Sequence, residues 1–173
     1  MGTDKALLKI GSVTMLDRTV ATLREVVDPV YVVGGGHDAA GAHYIEDLFP
    51  GEGPVGAVIS ALGESDSDVL VVTSCDLPAL RSETLRVLVE ALRASGADYA
   101  VPIAHGRRQW HCLGLRRSCH DPIVKAFDQG ARSYRDAVAG LSECGVLIAR
   151  PDDFADIDTP EQFHQFRDGA RPG

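Results

Sequence analysis

Three charged side chains in this sequence have neighbours and spacing that could support chemistry on a phosphorylated ligand. Asp76 lies four residues after the end of the apolar run 69–72, within Cys-Asp-Leu-Pro, and Asp158 precedes Thr-Pro-Glu near the C-terminus. A carboxylate placed after a buried strand can bind Mg²⁺ together with phosphate oxygens and water. Lys5 follows an aspartate, precedes an apolar segment and could neutralise phosphate charge. We therefore treat Asp76, Asp158 and Lys5 as candidate site residues.

Each of these residues also has a purely structural interpretation. Asp76 could cap a turn after its strand. Asp158 lies beside a predicted helix start, where the helix dipole favours negative charge. Lys5 could be an ordinary solvated surface lysine. The residues alone leave both interpretations open.

A glycine-rich turn after Asp47 forms another candidate site. It contains Gly51, Gly53 and Gly56, with Pro54 at a predicted helix start. Glycines let backbone N–H groups approach a ligand closely at a helix N-terminus. The alternative is a tight surface turn.

The elements that must position these residues are strands alternating with helices. Apolar runs predict strands at 30–33, 69–72, 99–102, 110–115 (near the sheet edge) and 146–148, with a short extended segment at 44–49. Helical periodicity predicts helices at 14–27, 54–62, 122–127 and 133–141. Two further helices are predicted, one N-capped by Ser82 and one beginning at Thr159. This alternation predicts a layered α/β domain with a mainly parallel sheet over residues 1–173. Ligands of such sheets bind beyond the carboxyl ends of the strands, which is where Asp76 lies.

Composition narrows the range of functions. The formal charge of -8 argues against a surface that follows nucleic-acid phosphates, although it permits binding of one nucleotide. No apolar run is long enough to span a membrane, and no signal peptide is apparent. The four cysteines form no CxxC pair, so we expect reduced thiols in a cytoplasmic protein.

These segments, taken in order, resemble the molybdenum cofactor guanylyltransferases, which are nucleotidyltransferases with a three-layer Rossmann-like fold. The resemblance covers nearly the whole chain. The matching segments are Met-Gly-Thr-Asp-Lys at 1–5, Asp47 with Gly-Glu-Gly-Pro-Val-Gly at 51–56, Cys-Asp-Leu-Pro at 75–78, Gly-Ala-Arg-Ser at 130–133 and Asp-Thr-Pro-Glu at 158–161.

The resemblance implies nucleotidyl transfer, in which the phosphate of molybdopterin attacks the α-phosphorus of GTP and pyrophosphate leaves. It implies that Asp76 binds Mg²⁺, with Asp158 as a second metal residue, and that Lys5 neutralises phosphate. It also implies that Asp47 contacts the guanine nucleotide beside Gly53 and Pro54. Lys5 and Asp76 would be the catalytic pair.

Two departures from the family pattern lead to further expectations. The family's signature begins with a strand and glycines that do not precede Met-Gly here, so we expect the first strand and glycine-rich loop to be missing, with self-association or weak stability as a result. Asp156-Ile157-Asp158 is more similar to related cytidylyltransferases. The alternatives are therefore a CTP-dependent or other small-molecule nucleotidyltransferase and a catalytically silent homologue.

Overall fold

Strands and helices alternate along residues 5–157, the part of the chain that the computed structural model describes. The strands are β1 (Lys9–Ile10), β2 (Val13–Thr14), β3 (Tyr31–Val33), β4 (His43–Ile45), β5 (Val69–Thr73), β6 (Tyr99–Ala104), β7 (Arg107–Arg108), β8 (Cys112–Arg116) and β9 (Glu143–Leu147). The α-helices are α1 (Met15–Arg24), α2 (Pro54–Glu64), α3 (Ser82–Ala94), α4 (His120–Asp128) and α5 (Tyr134–Ala137). Short 3₁₀ helices occupy Lys5–Leu7, Arg117–Cys119 and Pro151–Phe154. The predicted α/β class is confirmed.

The largest sheet is mixed rather than mainly parallel. Its order is β5–β8–β6–β7, with β9 pairing with β6. Strand β8 runs antiparallel to both β5 and β6, whereas β9 runs parallel to β6. The prediction that 110–115 forms a strand near the sheet edge was wrong about position, because β8 lies between two strands. The residues of β8 are apolar enough for an edge or a central position, so only the pairing of the strands distinguishes the two.

Local sequence signals explain most of the helix boundaries. The Thr14 hydroxyl accepts a hydrogen bond from the backbone N–H of Asp17 and caps α1. Pro54 occupies the first turn of α2, as predicted. The prediction that Ser82 caps α3 was wrong, because Ser82 is already helical and its hydroxyl donates to Glu25 Oε2 at 2.6 Å. The predicted helix at 133–141 is only the single turn of α5.

Helices cover both faces of the large sheet and form two apolar clusters. One cluster joins α1 and α3 to the sheet, and the other joins α2, α4 and α5 to its opposite face. Alternate residues of β6 enter different clusters: Ala100 belongs to the first, while Tyr99 and Val101 belong to the second. This arrangement is the expected three-layer architecture.

A cleft separates β3 and β4 from the larger sheet. Strands β3 and β4 form their own parallel pair, and within residues 5–157 no strand joins β3 to β5. The cleft has a volume of about 900 Å³ and is lined by residues of both β3 and β5. The two sheets therefore do not form one continuous hydrogen-bonded layer in the described region.

Two further expectations concern the termini and the cysteines. The helix predicted from Thr159 lies outside the described residues. None of the four cysteines forms a disulfide, and Cys112 and Cys119 are buried. Among the described helices, none has the length and apolar character needed to cross a membrane.

Candidate active site

Lys5 and Asp76 come together at the carboxyl end of β5. The Lys5 Nζ lies 3.9 Å from Asp76 Oδ2, and the two side chains are 33% and 18% exposed. Asp76 follows β5 by three residues, whereas Lys5 belongs to the 3₁₀ helix Lys5–Leu7. The tertiary fold thus joins two candidate residues that are 71 positions apart (76 − 5). Both remain accessible enough to contact a ligand.

The loop that carries Asp76 is held at three points. The Ser74 hydroxyl donates a hydrogen bond to Asp76 Oδ1, and the Ser74 N–H donates to the His111 carbonyl at 2.9 Å. The Ile157 N–H donates to the Asp76 carbonyl at 3.1 Å. These contacts orient the carboxylate before any ligand arrives. The sequence analysis did not identify this orienting role of Ser74.

Tyr134 is a further site residue that the sequence reasoning missed. It begins α5, is half-buried and lines the cleft together with Cys75, the neighbour of Asp76. Burial raises the pKa of Tyr134 to about 12, with smaller contributions from Cys112 and Asp76. The phenol therefore stays neutral and can donate a hydrogen bond at physiological pH. Ser133, which caps α5 by accepting from the Asp136 N–H, was the available sequence signal.

The glycine-rich turn lies against the segment that precedes α5. Gly53 is the N-cap of α2, with a φ of 87° and a ψ of -179°. A Cβ at Gly53 would lie 3.0 Å from the Arg132 carbonyl oxygen. The Arg132 Nε donates to Glu52 Oε2 at 2.8 Å, and its guanidinium carbon lies 4.1 Å from the centre of the Phe127 ring. Gly53 and Pro54 are exposed, so the start of α2 is open to a ligand.

Asp47 stabilises a turn beside Gly34, a residue that lines the cleft. Its Oδ1 accepts a hydrogen bond from the Phe49 N–H at 2.9 Å. Gly34, which follows β3 and lines the cleft, packs closely against it, since a Cβ at Gly34 would lie 3.3 Å from the Asp47 Cβ. Asp47 therefore lies beside the end of β3, whereas Asp76 lies beyond the end of β5. Asp47 therefore has a structural role in the turn. Its side chain is half-exposed and can also contact a ligand.

The metal-binding potential of the described residues rests on Asp76. No group of three or more His, Cys, Asp or Glu side chains suited to a metal occurs within residues 5–157. Asp158, the second predicted metal residue, lies outside the described residues. One oriented carboxylate nevertheless fits Mg²⁺, which commonly takes one or two protein carboxylates and completes its shell with substrate phosphates and water. The Lys5–Asp76 pair thus combines an ammonium group with a carboxylate, and the exposed start of α2 is a further region suited to a phosphorylated ligand.

Comparison with known protein sequences gives a consistent set of relatives. The family model described as "MobA-like NTP transferase domain" matches residues 1–143. A probable molybdenum cofactor guanylyltransferase of Pelotomaculum thermopropionicum is 30% identical over 138 residues, covering 78% of this chain and 64% of that protein. A molybdenum cofactor guanylyltransferase of a Shewanella species is 25% identical over 173 residues, covering 93% and 85% of the respective chains.

Solved structures confirm the fold. The molybdopterin-guanine dinucleotide biosynthesis protein A of Archaeoglobus fulgidus superposes with a TM-score of 0.80 at 17% identity, covering 96% of this chain and 90% of that one. The 2-C-methyl-D-erythritol 4-phosphate cytidylyltransferase of Thermus thermophilus gives a TM-score of 0.74 at 21% identity, covering 97% and 94%. The architecture is therefore the Rossmann-like nucleotidyltransferase fold. Since the family model matches most of the sequence, the chain belongs to the family of MobA-like NTP transferase domains.

Proposed function

We propose that this protein transfers GMP from GTP to the terminal phosphate of molybdopterin and releases pyrophosphate. The observation that carries the proposal is the Lys5–Asp76 pair, which is accessible beyond the end of β5, where this fold class binds its ligands. The guanylyltransferases of Shewanella and Pelotomaculum support the choice of substrates. We therefore choose GTP and molybdopterin as the first substrates to assay.

The reaction is a substitution at the α-phosphorus of GTP. An oxygen of the molybdopterin phosphate forms the new P–O bond, the α–β phosphoanhydride bond breaks, and its electron pair leaves with pyrophosphate. Catalysis of such a step depends on positioning the reactants and on neutralising charge. Lys5 would neutralise phosphate charge at one side of the site. Asp76, held by Ser74, would bind Mg²⁺, which when bound supplies further positive charge to the phosphates.

The remaining candidate residues would bind the nucleotide. Asp47 would accept hydrogen bonds from the base or ribose beside the end of β3. The backbone around Gly53 and Pro54 would approach the ligand at the start of α2. Asp158 is proposed as a second metal ligand on the basis of the sequence.

Two alternative functions are also considered. One is transfer of CMP from CTP to a phosphorylated small molecule, which the segment at 156–158 favours. The other is a catalytically silent protein that binds nucleotide without turning it over. We also propose that the protein is cytoplasmic and forms homo-oligomers, which cell fractionation and light scattering would test.

A pyrophosphate-release assay with molybdopterin and either GTP or CTP, with and without Mg²⁺, tests the proposal. We expect Mg²⁺-dependent release with GTP that exceeds release with CTP and requires molybdopterin. Greater release with CTP would replace guanylyl transfer with cytidylyl transfer. Absence of release, combined with measurable GTP binding by calorimetry, would establish the silent alternative.

A further inference from the structure

The loop 74–80, which follows β5 and carries the candidate metal ligand, is also held by helix α1. The Nε of Arg18, a residue of α1, donates a hydrogen bond to the Pro78 carbonyl oxygen at 2.7 Å. The two residues are 60 positions apart in the sequence, so only the tertiary fold brings them together. Neither the motifs of the sequence nor the proposed reaction assigns a role to Arg18.

The carbonyl that Arg18 contacts belongs to a buried residue. Pro78 is buried, whereas the Arg18 side chain is exposed, so the Nε reaches inward from the surface. A buried carbonyl that loses its donor costs free energy, because water cannot easily replace that donor. Within residues 5–157, the guanidinium makes this hydrogen bond and no ion pair. The contact therefore fixes the side chain and the loop to each other.

Apolar packing brings the same loop and the same helix together. Leu77 and Leu80 are buried in the apolar cluster that also contains Val20 and Leu23 of α1. The Leu80 N–H donates to the Leu77 carbonyl at 3.1 Å and closes a turn of the loop. Apolar contacts are not directional, whereas a hydrogen bond has a preferred distance and angle. The hydrogen bond of Arg18 therefore sets how the loop is aligned along α1.

Lys5 belongs to the same structural unit as Arg18. The short strands β1 and β2 pair with each other and connect the 3₁₀ helix of Lys5 to α1. The Met15 N–H, at the start of α1, donates to the Leu8 carbonyl at 2.8 Å. Because Arg18 fixes this unit against the loop two residues beyond Asp76, it also fixes Lys5 relative to Asp76.

We propose that Arg18 is a positioning residue for nucleotidyl transfer. Its hydrogen bond to Pro78 holds the loop 74–80 at the distance from which Lys5 and Asp76 act on the same ligand. The inference rests on the function proposed above, because it concerns the same site. A displacement of about 1 Å in such a site can lower a rate about 100-fold. Arg18 contacts neither substrate, so its loss should lower turnover more than it weakens binding of GTP.

A purely structural role of Arg18 gives a different expectation. A residue that only stabilises the fold lowers the free energy of unfolding and leaves the activity of the folded protein unchanged. Arg86 is the matched control, because its Nη2 donates to the Glu25 carbonyl at 3.1 Å and joins α3 to the end of α1. This contact has the same chemistry but lies outside the loop that carries Asp76.

Two substitutions of Arg18 separate its hydrogen bond from its charge. Arg18→Met keeps much of the side-chain length and removes the donor. Arg18→Gln removes the charge but places an amide nitrogen where the Nε lies, so it can still donate to Pro78. If Arg18 acts by its hydrogen bond, Arg18→Gln should resemble wild type. If Arg18 acts by charge on a phosphate, both variants should fail equally, which would overturn the proposal.

Hydrogen exchange with mass spectrometry tests the positioning without requiring activity. We expect Arg18→Met to speed exchange in residues 74–80 by roughly tenfold or more while β6 and β8 keep their rates. Arg18→Gln and Arg86→Met should exchange like wild type in this loop. Equal exchange of the loop in wild type and Arg18→Met would overturn the inference, whatever reaction the protein catalyses.

Pyrophosphate release provides the second measurement. We expect Arg18→Met to lower kcat about 100-fold, with KM for GTP within about threefold of wild type, and Arg86→Met to change neither. Combining Arg18→Met with Lys5→Met should cost less than the product of the two single effects, because Arg18 acts through Lys5 and Asp76. Fully multiplicative losses would contradict that coupling. Absence of release by wild type would instead refute the proposed function, and the exchange measurement would then decide the role of Arg18.

Discussion

At the scale of single residues, the site depends on the Asp76 carboxylate, which Ser74 orients by a hydrogen bond to one oxygen. The Ser74 hydroxyl engages Asp76 Oδ1, and the Lys5 ammonium lies 3.9 Å from Oδ2, beyond hydrogen-bond distance. A ligand of Asp76 therefore does not have to break a short hydrogen bond between these two side chains. A phosphate and a metal ion bound between them would satisfy both charges.

Replacing Asp76 with asparagine should remove catalysis while preserving the fold. The amide keeps the shape of the side chain and can accept from Ser74, but it lacks the charge that binds a metal ion. We expect pyrophosphate release to fall about 100-fold or more, with a change in unfolding free energy below about 1 kcal/mol. The exposed Asp121→Asn is the matched control. Release by Asp76→Asn within about threefold of wild type would remove Asp76 from the mechanism.

Gly53 should tolerate alanine less well than Gly51 or Gly96. Its φ of 87° with ψ of -179° is a conformation that essentially only glycine adopts, and an added Cβ would lie 3.0 Å from the Arg132 carbonyl oxygen. We expect Gly53→Ala to reduce the free energy of unfolding by about 1–3 kcal/mol.

Alanine variants of two other glycines distinguish backbone strain from steric contact as the cause of the lost stability. Urea denaturation measures the free energy of unfolding of all three variants. Gly51 has a φ of 82° but no atom within 4 Å of an added Cβ, so Gly51→Ala measures backbone strain alone. Gly96 has open space and no positive φ, so Gly96→Ala should have little effect. A Gly53→Ala variant as stable as Gly96→Ala would contradict the structure of this turn.

At the scale of elements, an ion pair between the buried Asp153 and the half-buried Arg81 fixes the 3₁₀ helix Pro151–Phe154 against α3. The Asp153 carboxylate is 2% exposed and accepts hydrogen bonds from the Arg81 guanidinium, with Arg81 Nε at 2.9 Å, and from the Thr84 hydroxyl. The hydrogen bond with Asp153 raises the pKa of Arg81. Three residues beyond this helix, Ile157 contacts the Asp76 carbonyl. The ion pair therefore supports the site through the segment that follows it.

Replacing Asp153 with alanine should destabilise the protein strongly. It leaves Thr84 buried without its acceptor and Arg81 without its counter-charge, so we expect a loss of about 3 kcal/mol in unfolding free energy. The neighbouring exposed Asp152→Ala should cost less than about 0.5 kcal/mol. Calorimetric unfolding of the two variants provides the measurement. Equal melting temperatures would show that the buried pair does not stabilise the fold.

A second ion pair connects three strands and should make stability depend on pH. Arg108 of β7 donates to Glu143 of β9 at 2.8 Å, and the Tyr99 hydroxyl of β6 donates to the same carboxylate at 2.7 Å. The Arg108 hydrogen bond is the main cause that lowers the pKa of Glu143 below its usual value of 4.5. Because the folded-state pKa is the lower one, this contribution is complete above pH 4.5 and is lost as pH falls through the folded-state pKa.

The variant Glu143→Gln should therefore be less stable than wild type at neutral pH, by about 1 kcal/mol, and the difference should shrink in acid. Urea denaturation between about pH 7 and pH 3 measures this change. Glu64→Gln, which alters an exposed carboxylate at the end of α2, is the control. A stability difference that stays constant across this range would contradict the assignment.

At the scale of the whole molecule, the described fold contains one large sheet and two two-stranded sheets, β1–β2 and β3–β4. The large sheet has apolar clusters on both faces. The pair β3 and β4 has three residues in each strand and borders the cleft. Such an arrangement predicts unequal local stability, because a short ladder with an open edge opens without unfolding the rest.

Hydrogen exchange of the unmodified chain should reveal this inequality. We expect amides in β3 and β4 to exchange at least roughly 100-fold faster than those in β6 and β8 under native conditions. The fast exchange should be independent of urea at low concentration, because local opening exposes little surface. Uniform exchange across both sheets would show that they unfold as one unit.

Much of the local structure was predictable because it depends on neighbouring residues. The apolar runs at 69–72 and 99–102, the proline at the start of α2 and the helical spacing of apolar residues at 14–27 all gave the correct elements. The prediction failed for Ser82, since its hydroxyl has a tertiary partner, Glu25, that competes with capping. It also failed for the position of β8, because strand order depends on long-range pairing that leaves little trace in periodicity.

The sequence by itself determined the residue types of the site, their order along the chain and the family to which they belong. Motifs are local, so Asp76 after its strand and Gly53-Pro54 at a helix start could be identified from spacing. Only the tertiary structure brought Lys5 within 3.9 Å of Asp76 and added Ser74 and Tyr134 around them. It alone also separated β3 from β5 by a cleft, because which edges pair and which stay open depends on how distant segments pack.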